Sequence, residues 1–170
     1  MFKMLKKIII KIKYGQRLIG SKFEIRKNAS IKISQRGLVE LGKCLINENA
    51  FVCASNLGKI TIKDNVTINR NTIIVAKKHI YIGDGSSIGP NVCIYDHDHK
   101  YDANGFKKDE FTAADIYIGK NVWIGANVMI LKGSNIEDNC VIGAGTIIKG
   151  LVRANSIVYN ARDIIEKKMV

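Results

Sequence analysis

An all-β solenoid, a chain wound round a narrow prism, is the fold this sequence predicts, and three observations predict it. Isoleucine stands at Ile82, Ile88 and Ile94 and, after an interruption, at Ile118, Ile124, Ile130, Ile136, Ile142 and Ile148, so an apolar position returns every six residues. Three residues past each isoleucine up to Ile142 stands Gly85, Asn91, His97, Asn121, Asn127, Gly133, Asn139 or Gly145, residue types that tolerate a backbone φ above zero. One residue further comes a small or β-branched side chain: Ser86, Val92, Val122, Val128, Ser134, Cys140 or Thr146. A helix would repeat its apolar face at 3.6 residues and a plain strand at 2, whereas a period of six with a turn residue in each unit describes corners, short strands and a tight interior. No single coil of such an array buries its isoleucines alone, so stability comes from stacking.

The elements follow in order. Residues 1–37 are read as a basic N-terminal helix and its lead-in. Within residues 2–14, Phe2, Leu5, Ile8, Ile9 and Ile12 share one helical face while Lys3, Lys7 and Lys11 occupy another, the pattern of an amphipathic helix. Its expected places are over the open end of the solenoid, with the lysine face solvated, or against an anionic membrane surface. Residues 38–160 carry the coils: Ile60-Thr61-Ile62-Lys63, Ile80-Tyr81-Ile82-Gly83 and Ile116-Tyr117-Ile118-Gly119 open successive turns, and Asn65 and Asn71 mark corners after Ile62 and Ile68. Residues 100–115 lack the six-residue phase and are polar, so they read as a loop thrown out from one corner, where chemistry tends to sit. Residues 161–170 read as a short C-terminal cap.

Composition narrows the functional classes. The 170 residues are 46% apolar, enough for one sizeable core. The net charge of +12 is concentrated at one end: residues 1–36 hold eleven Lys or Arg against Glu24 alone, which is +10 and leaves +2 for the rest. The apolar run Ile8–Ile10 is too short and lysine-broken for a signal peptide or a membrane span, and the basic segment lacks the interleaved aromatics of nucleic-acid modules. Cys44, Cys53, Cys93 and Cys140 show no CxxC spacing and follow no secretory leader, so they read as reduced packing thiols of a cytoplasmic protein.

Candidate chemistry gathers at Asp96-His97-Asp98-His99, at the mouth of the loop. If the stretch is extended, His97 and His99 point to one side and the two aspartates to the other. A catalytic zinc needs at least three protein ligands, and His79 is the only other histidine, which disfavours a metal. A general base needs one neutral imidazole whose other nitrogen is held by a carboxylate or carbonyl. Two surface histidines without a chemical role remain the alternative from these four residues alone.

Together with Ile82-Gly83-Asp84, Val122-Trp123-Ile124-Gly125-Ala126-Asn127-Val128 and Val141-Ile142-Gly143-Ala144-Gly145-Thr146, in that order and spacing, this ensemble resembles the hexapeptide-repeat acyltransferases over residues 38–165. The resemblance implies a left-handed parallel β-helix, a homotrimer with active sites between subunits, and acetyl-CoA as cosubstrate with no metal. It implies His99 as catalytic base, with His97 the second candidate. Asn69, Asp96 and His97 are implied on the acceptor side, and Trp123, Gly125, Ala126 and Ala144 along the thioester and pantetheine arm. Lys149, Arg153 and Arg162 are implied at the coenzyme phosphates. In place of the family's Gly-x-Pro-Ala-Lys this chain reads Val158-Tyr159-Asn160-Ala161-Arg162. The short Asp-His-Asp-His variant and the basic helix are similar to O-acetyltransferases of surface polysaccharides, implying a sugar acceptor, small or lipid-linked, at the inner membrane face. A zinc-dependent enzyme of the carbonic-anhydrase kind and a noncatalytic binding module share the same scaffold.

Overall fold

The computed structural model describes residues 2–161 and 166, so Arg162 and nearly all of the expected cap lie outside the described residues. Successive short strands are dealt in rotation to three parallel sheets of seven, seven and six strands, which form the three faces of a prism with six complete turns. We call these the first, second and third faces in the order the chain meets them. The fold is the parallel β-solenoid that the six-residue period predicts.

Register explains why isoleucine recurs. On the first face Ile62, Ile82 and Ile118 stack in line, on the second Ile68, Ile88, Ile124 and Ile142, and on the third Ile74, Ile94, Ile130 and Ile148. All of these are essentially buried. Each contributes about 1.5–3 kcal/mol relative to exposure, and each depends on the turns above and below for cover. The coils are joined by bonds such as Gly83 N–H to Ile118 C=O at 2.8 Å and Cys93 N–H to Val128 C=O at 3.0 Å.

The corners are set by left-handed backbone. Gly85, Asn91, Asn121, Asn127, Gly133, Asn139 and Gly145 all have positive φ. His97, expected to be a corner, does not: it is extended and begins an excursion. The inward positions after the corners, Ser86, Val92, Val122, Val128, Ser134, Cys140 and Thr146, are buried, and Ser86 Oγ–H donates to Gly119 C=O at 2.8 Å.

Two expectations about boundaries are corrected. The prism begins at Leu18, well before 38, because Leu18–Ile19, Glu24–Ile25 and Ser30–Ile33 pair with the strands of the next turn on all three faces. The loop at 100–115 is an antiparallel hairpin of His97–Asp102 and Gly105–Ala113 projecting from the edge between the third and first faces.

The helix Phe2–Tyr14 does cover the open end of the prism, but with its faces reversed from expectation. Tyr14 is buried in the core with Ile10 packed against it, and Lys11 Nζ donates to the carbonyls of Leu18 and Gly20 at 3.0 and 2.8 Å. Leu5, Ile8, Ile9 and Ile12 face solvent. The reason is physical: the first turn has no coil above it, so its backbone carbonyls need donors, and a lysine supplies them where an apolar stripe cannot.

Candidate active site

The hairpin is rooted by Asp96, which is wholly buried. Its carboxylate accepts the backbone N–H of Lys77 at 2.9 and 3.1 Å and that of Lys78 at 2.7 Å, from the corner of the preceding turn. It also accepts the Nδ1–H of His97 at 2.9 Å. A carboxylate so bonded fixes the imidazole's tautomer, because only a protonated Nδ1 can donate to it, and leaves Nε2 as an acceptor.

His99 receives the same kind of support from a different group. Its Nδ1–H donates to the Lys107 carbonyl at 3.2 Å, again leaving Nε2 with a lone pair. His99 sits at a break in the hairpin's register: it pairs with Phe111, whereas Lys100 pairs with Lys107. The strand opposite therefore bulges at the histidine, a device that re-aims side chains next to active sites. Both imidazoles lie against the Phe111 ring, His97 at 5.5 Å and His99 at 4.5 Å between centroids, so the two histidines do share a side. His97 is largely covered and His99 is exposed.

Ion pairs brace the hairpin. Lys132 pairs with Asp98 at 2.9 Å and donates to Thr112 Oγ1, Lys100 pairs with Glu110 at 3.3 Å, and Lys107 pairs with Asp102 at 2.9 Å. Lys107 and the Asn104 N–H together hold the Asp102 carboxyl below its usual range. These exposed pairs order the hairpin more than they stabilise the fold.

The other expected site residues are distributed over the prism's three edges. Gly125, Ala126 and Ala144 lie on the edge between the second and third faces, as does Asn69, which accepts from Asn47 Nδ2 at 3.3 Å. A Cβ on Gly125 would come within 2.7 Å of the Ala144 backbone, so the turns meet there without intervening side chains. The N–H groups of Ala126 and Ala144 donate to no partner among the described residues, while Ala126 C=O accepts from Gly145 N–H at 2.8 Å. Trp123, on the second face, is 60% exposed, and Met129 and Ile147 are exposed on the third. Lys149 lies on the hairpin's edge, two turns beyond it, whereas Arg153 lies on the remaining edge, between the first and second faces. One protomer therefore does not bring Lys149 and Arg153 together, nor His99 and Ala126.

Lys77 was not singled out from the sequence except as part of a corner, yet its ammonium lies 3.7 Å from the centre of the Phe111 ring and its backbone holds Asp96. Its place in the site depends on hairpin geometry that no sequence pattern reveals. His79, on the first face, bonds to Thr61 Oγ1 at 3.3 Å.

Comparison with known proteins settles the lineage. Residues 115–150 match the bacterial transferase hexapeptide (six repeats) family. A protein of Saccharomyces cerevisiae named as an acetyltransferase is 36% identical over 135 residues, covering 75% of this chain and 68% of its own length. The chain belongs to the hexapeptide-repeat transferase family. It falls among the acetyltransferases of that family: the galactoside O-acetyltransferase of Escherichia coli K12 is 39% identical over 107 residues, 61% of this chain and 53% of that protein. The chain thus spans about two thirds of the first relative and about half of the second. A structure of AntD, an N-acyltransferase from Bacillus cereus, with dTDP and coenzyme A has a TM-score of 0.77 at 22% identity over 95% of this chain and 89% of that one, a likeness of fold.

Proposed function

We propose that the protein is an acetyl-CoA-dependent O-acetyltransferase acting on a sugar hydroxyl, with His99 as general base. The observation that carries this reading is the His99 imidazole, exposed at the hairpin mouth with Nδ1–H tied to the Lys107 carbonyl and Nε2 free to accept a proton. In a ternary complex Nε2 takes the acceptor hydroxyl's proton as that oxygen bonds to the thioester carbonyl carbon. The carbon–sulfur bond then breaks, and the departing thiolate takes the proton from the imidazolium. The free N–H of Ala126 is suited to the oxyanion and that of Ala144 to an amide carbonyl of the pantetheine arm. Exposed Trp123, Met129 and Ile147 offer apolar cover for that arm, and Lys149 and Arg162 are assigned to its phosphates, with Asn69 and His97 on the acceptor side; Arg153 lies on the edge that this groove does not use, and Asp96, wholly buried, acts on the acceptor only by holding His97.

The separation of His99 from Ala126 and Ala144 on different edges supports a homotrimer in which the hairpin edge of one copy faces the small-residue edge of another. Mixing His99→Ala with Ala126→Trp, each inactive alone, should restore part of the activity if sites are shared; no restoration on subunit exchange refutes the sharing.

The chemical test is release of coenzyme A thiol from acetyl-CoA across a panel of sugars. His99→Ala should lower turnover by about 10²-fold or more. A larger loss in His97→Ala, with His99→Ala near wild type, would move the role to the Asp96-held imidazole.

A second partner is favoured by the outward stripe of Leu5, Ile8, Ile9 and Ile12 beside a strongly basic N-terminal region: contact with an anionic membrane, as a lipid-linked acceptor at the inner face would require. Among the described residues no helix is long and apolar enough to cross a membrane. Flotation with phosphatidylglycerol vesicles but not phosphatidylcholine vesicles, abolished by Ile8→Asp with Ile12→Asp, is the expected result; equal recovery with both lipids refutes it.

A further inference from the structure

We propose that Phe111 is a positioning residue for the base: its ring, pinned to the prism by the Lys77 ammonium, holds the exposed His99 imidazole in one orientation. This rests on the reading of His99 as the base.

The His99 side chain has one hydrogen bond among the described residues, the 3.2 Å donation from Nδ1–H to Lys107 C=O. An exposed bond of that kind contributes little net, and by itself leaves a side chain free to visit other rotamers. The accepting carbonyl is also weakly placed. In the hairpin ladder His99 pairs with Phe111 and Lys100 with Lys107, so Lys108, Asp109 and Glu110 have no residue opposite them and form a bulge. The imidazole spans this bulge, with Nδ1 on Lys107 at one end and its ring on Phe111 at the other, 4.5 Å between centroids.

Of those two ends, Phe111 is the one tied to the prism. The Lys107 ammonium pairs at 2.9 Å with Asp102, a contact within the hairpin. Phe111 is half-buried, and over its ring, 3.7 Å from the centre, lies the ammonium of Lys77, from a corner of the preceding turn. The quadrupole of the ring attracts a cation to its face. Lys78, Lys100, Lys107 and Lys132 each pair with a carboxylate, whereas Lys77 forms no ion pair among the described residues. Its backbone N–H also bonds the Asp96 carboxylate at 2.9 Å, so one lysine fastens the hairpin at its root and again at the bulge. His97, held by Asp96, meets the Phe111 ring edge-on at 5.5 Å and locates it from a second side. Phe106 approaches His99 edge-on at 5.6 Å, but it is exposed and has no comparable anchor. Proton transfer needs the nitrogen aligned with the attacking hydroxyl, and a misplacement of about 1 Å costs on the order of 10²-fold in rate.

The test compares Phe111→Leu, Phe111→Tyr, Lys77→Met and Lys77→Arg in the full chain, with thermal unfolding to check the fold. Three-bond NMR couplings of the His99 side chain read its χ1 without any substrate. Wild type, Phe111→Tyr and Lys77→Arg should show one rotamer, and Phe111→Leu and Lys77→Met an average of several. In thiol release, Phe111→Leu should lower kcat by about tenfold or more while the KM for acetyl-CoA changes by less than about twofold, and Phe111→Tyr should restore the rate. Added to His99→Ala, Phe111→Leu should cost nothing further, because the side chain it positions is gone. A single His99 rotamer in Phe111→Leu, a rise in KM that matches the fall in kcat, or full additivity with His99→Ala overturns the proposal. Wild-type turnover in His99→Ala together with rotamer averaging in Phe111→Leu would sink the reading of His99 as the base and leave the hold of Phe111 on it standing.

Discussion

Replacing Asp96 by Asn changes one atom at the root of the hairpin and probes both its stability and the choice of base. In the native site one carboxylate oxygen serves His97 and the Lys77 N–H, and the other serves the Lys78 N–H at 2.7 Å and Lys77 more distantly at 3.1 Å. An asparagine has one accepting oxygen. With that oxygen facing His97 and Lys77, its NH₂ opposes the Lys78 N–H, so a buried charge-assisted bond is replaced by two facing donors. The loss is about 2–3 kcal/mol, which for a chain of this size lowers the melting temperature by roughly 4–12 °C. The His99 bond to Lys107 C=O involves no atom of Asp96. Turnover of the folded Asp96→Asn protein should therefore fall less than that of His99→Ala, whereas if His97 were the base, Asp96→Asn and His97→Ala would fall together. Thermal unfolding by circular dichroism and thiol release at saturating acetyl-CoA measure the two effects. A melting temperature within a degree of wild type would refute the account of Asp96 as the hairpin's anchor.

Gly125→Ala should destabilise by about 1–3 kcal/mol, since the new methyl meets the Ala144 backbone at 2.7 Å and the coils must part, and calorimetry should show weaker coenzyme A binding as the bare edge is filled. Asn127, at φ 57°, should accept Gly with little change in unfolding midpoint but lose about 1–2 kcal/mol as Val, whose branched side chain opposes the left-handed backbone. Burial, assisted by the charge of Asp64, pushes the Cys44 thiol up to about 12 from 9.0, so the unfolded thiol ionises first. Its contribution to stability is complete below pH 9 and declines as pH rises from there towards 12. In native protein at pH 8, iodoacetamide should modify half-buried Cys93 before Cys44, as read by mass spectrometry of the peptides.

The sequence's period carried the fold because each repeat encodes its own local geometry: an inward isoleucine, a left-handed Asn or Gly, a small residue after it. Ile25 and Ile31 with Asn28 between them obey the same rule, and Asn28 does have positive φ, so the first turn was legible in principle. What obscured it was Gln35, a corner at φ 52° made by neither Gly nor Asn, and the longer connections around it. The helix's amphipathicity was plain, but which face docks depends on what the prism end lacks. That end needs donors for the Leu18 and Gly20 carbonyls as well as apolar cover, and no helical projection contains that information. At the site, the spacing of His97 and His99 showed that they share a side, while Asp96's grip on a corner of the preceding turn is a tertiary contact between segments without any common motif.

The hairpin also shows why this architecture can house chemistry at small structural cost. Its residues interrupt the six-residue phase between Ile94 and Ile118, yet Ile80, Tyr81 and Ile82 stack directly on Ile116, Tyr117 and Ile118, as they do on Ile60, Thr61 and Ile62 below. In a solenoid each strand takes its register from the turns on either side, so a corner can open into an excursion without displacing the next coil. Two contacts close the gap: the Ala114 N–H donates to Asp96 C=O at 2.9 Å across the hairpin's base, and Tyr81 stacks on Tyr117 at 5.0 Å with nearly parallel rings. Asp96 thus serves the scaffold with its backbone and the histidine with its side chain. The root of the hairpin and the tautomer of His97 then depend on the same residue, while His99 takes its support from Lys107, which is why a one-atom change in the Asp96 side chain should register in unfolding more than in turnover.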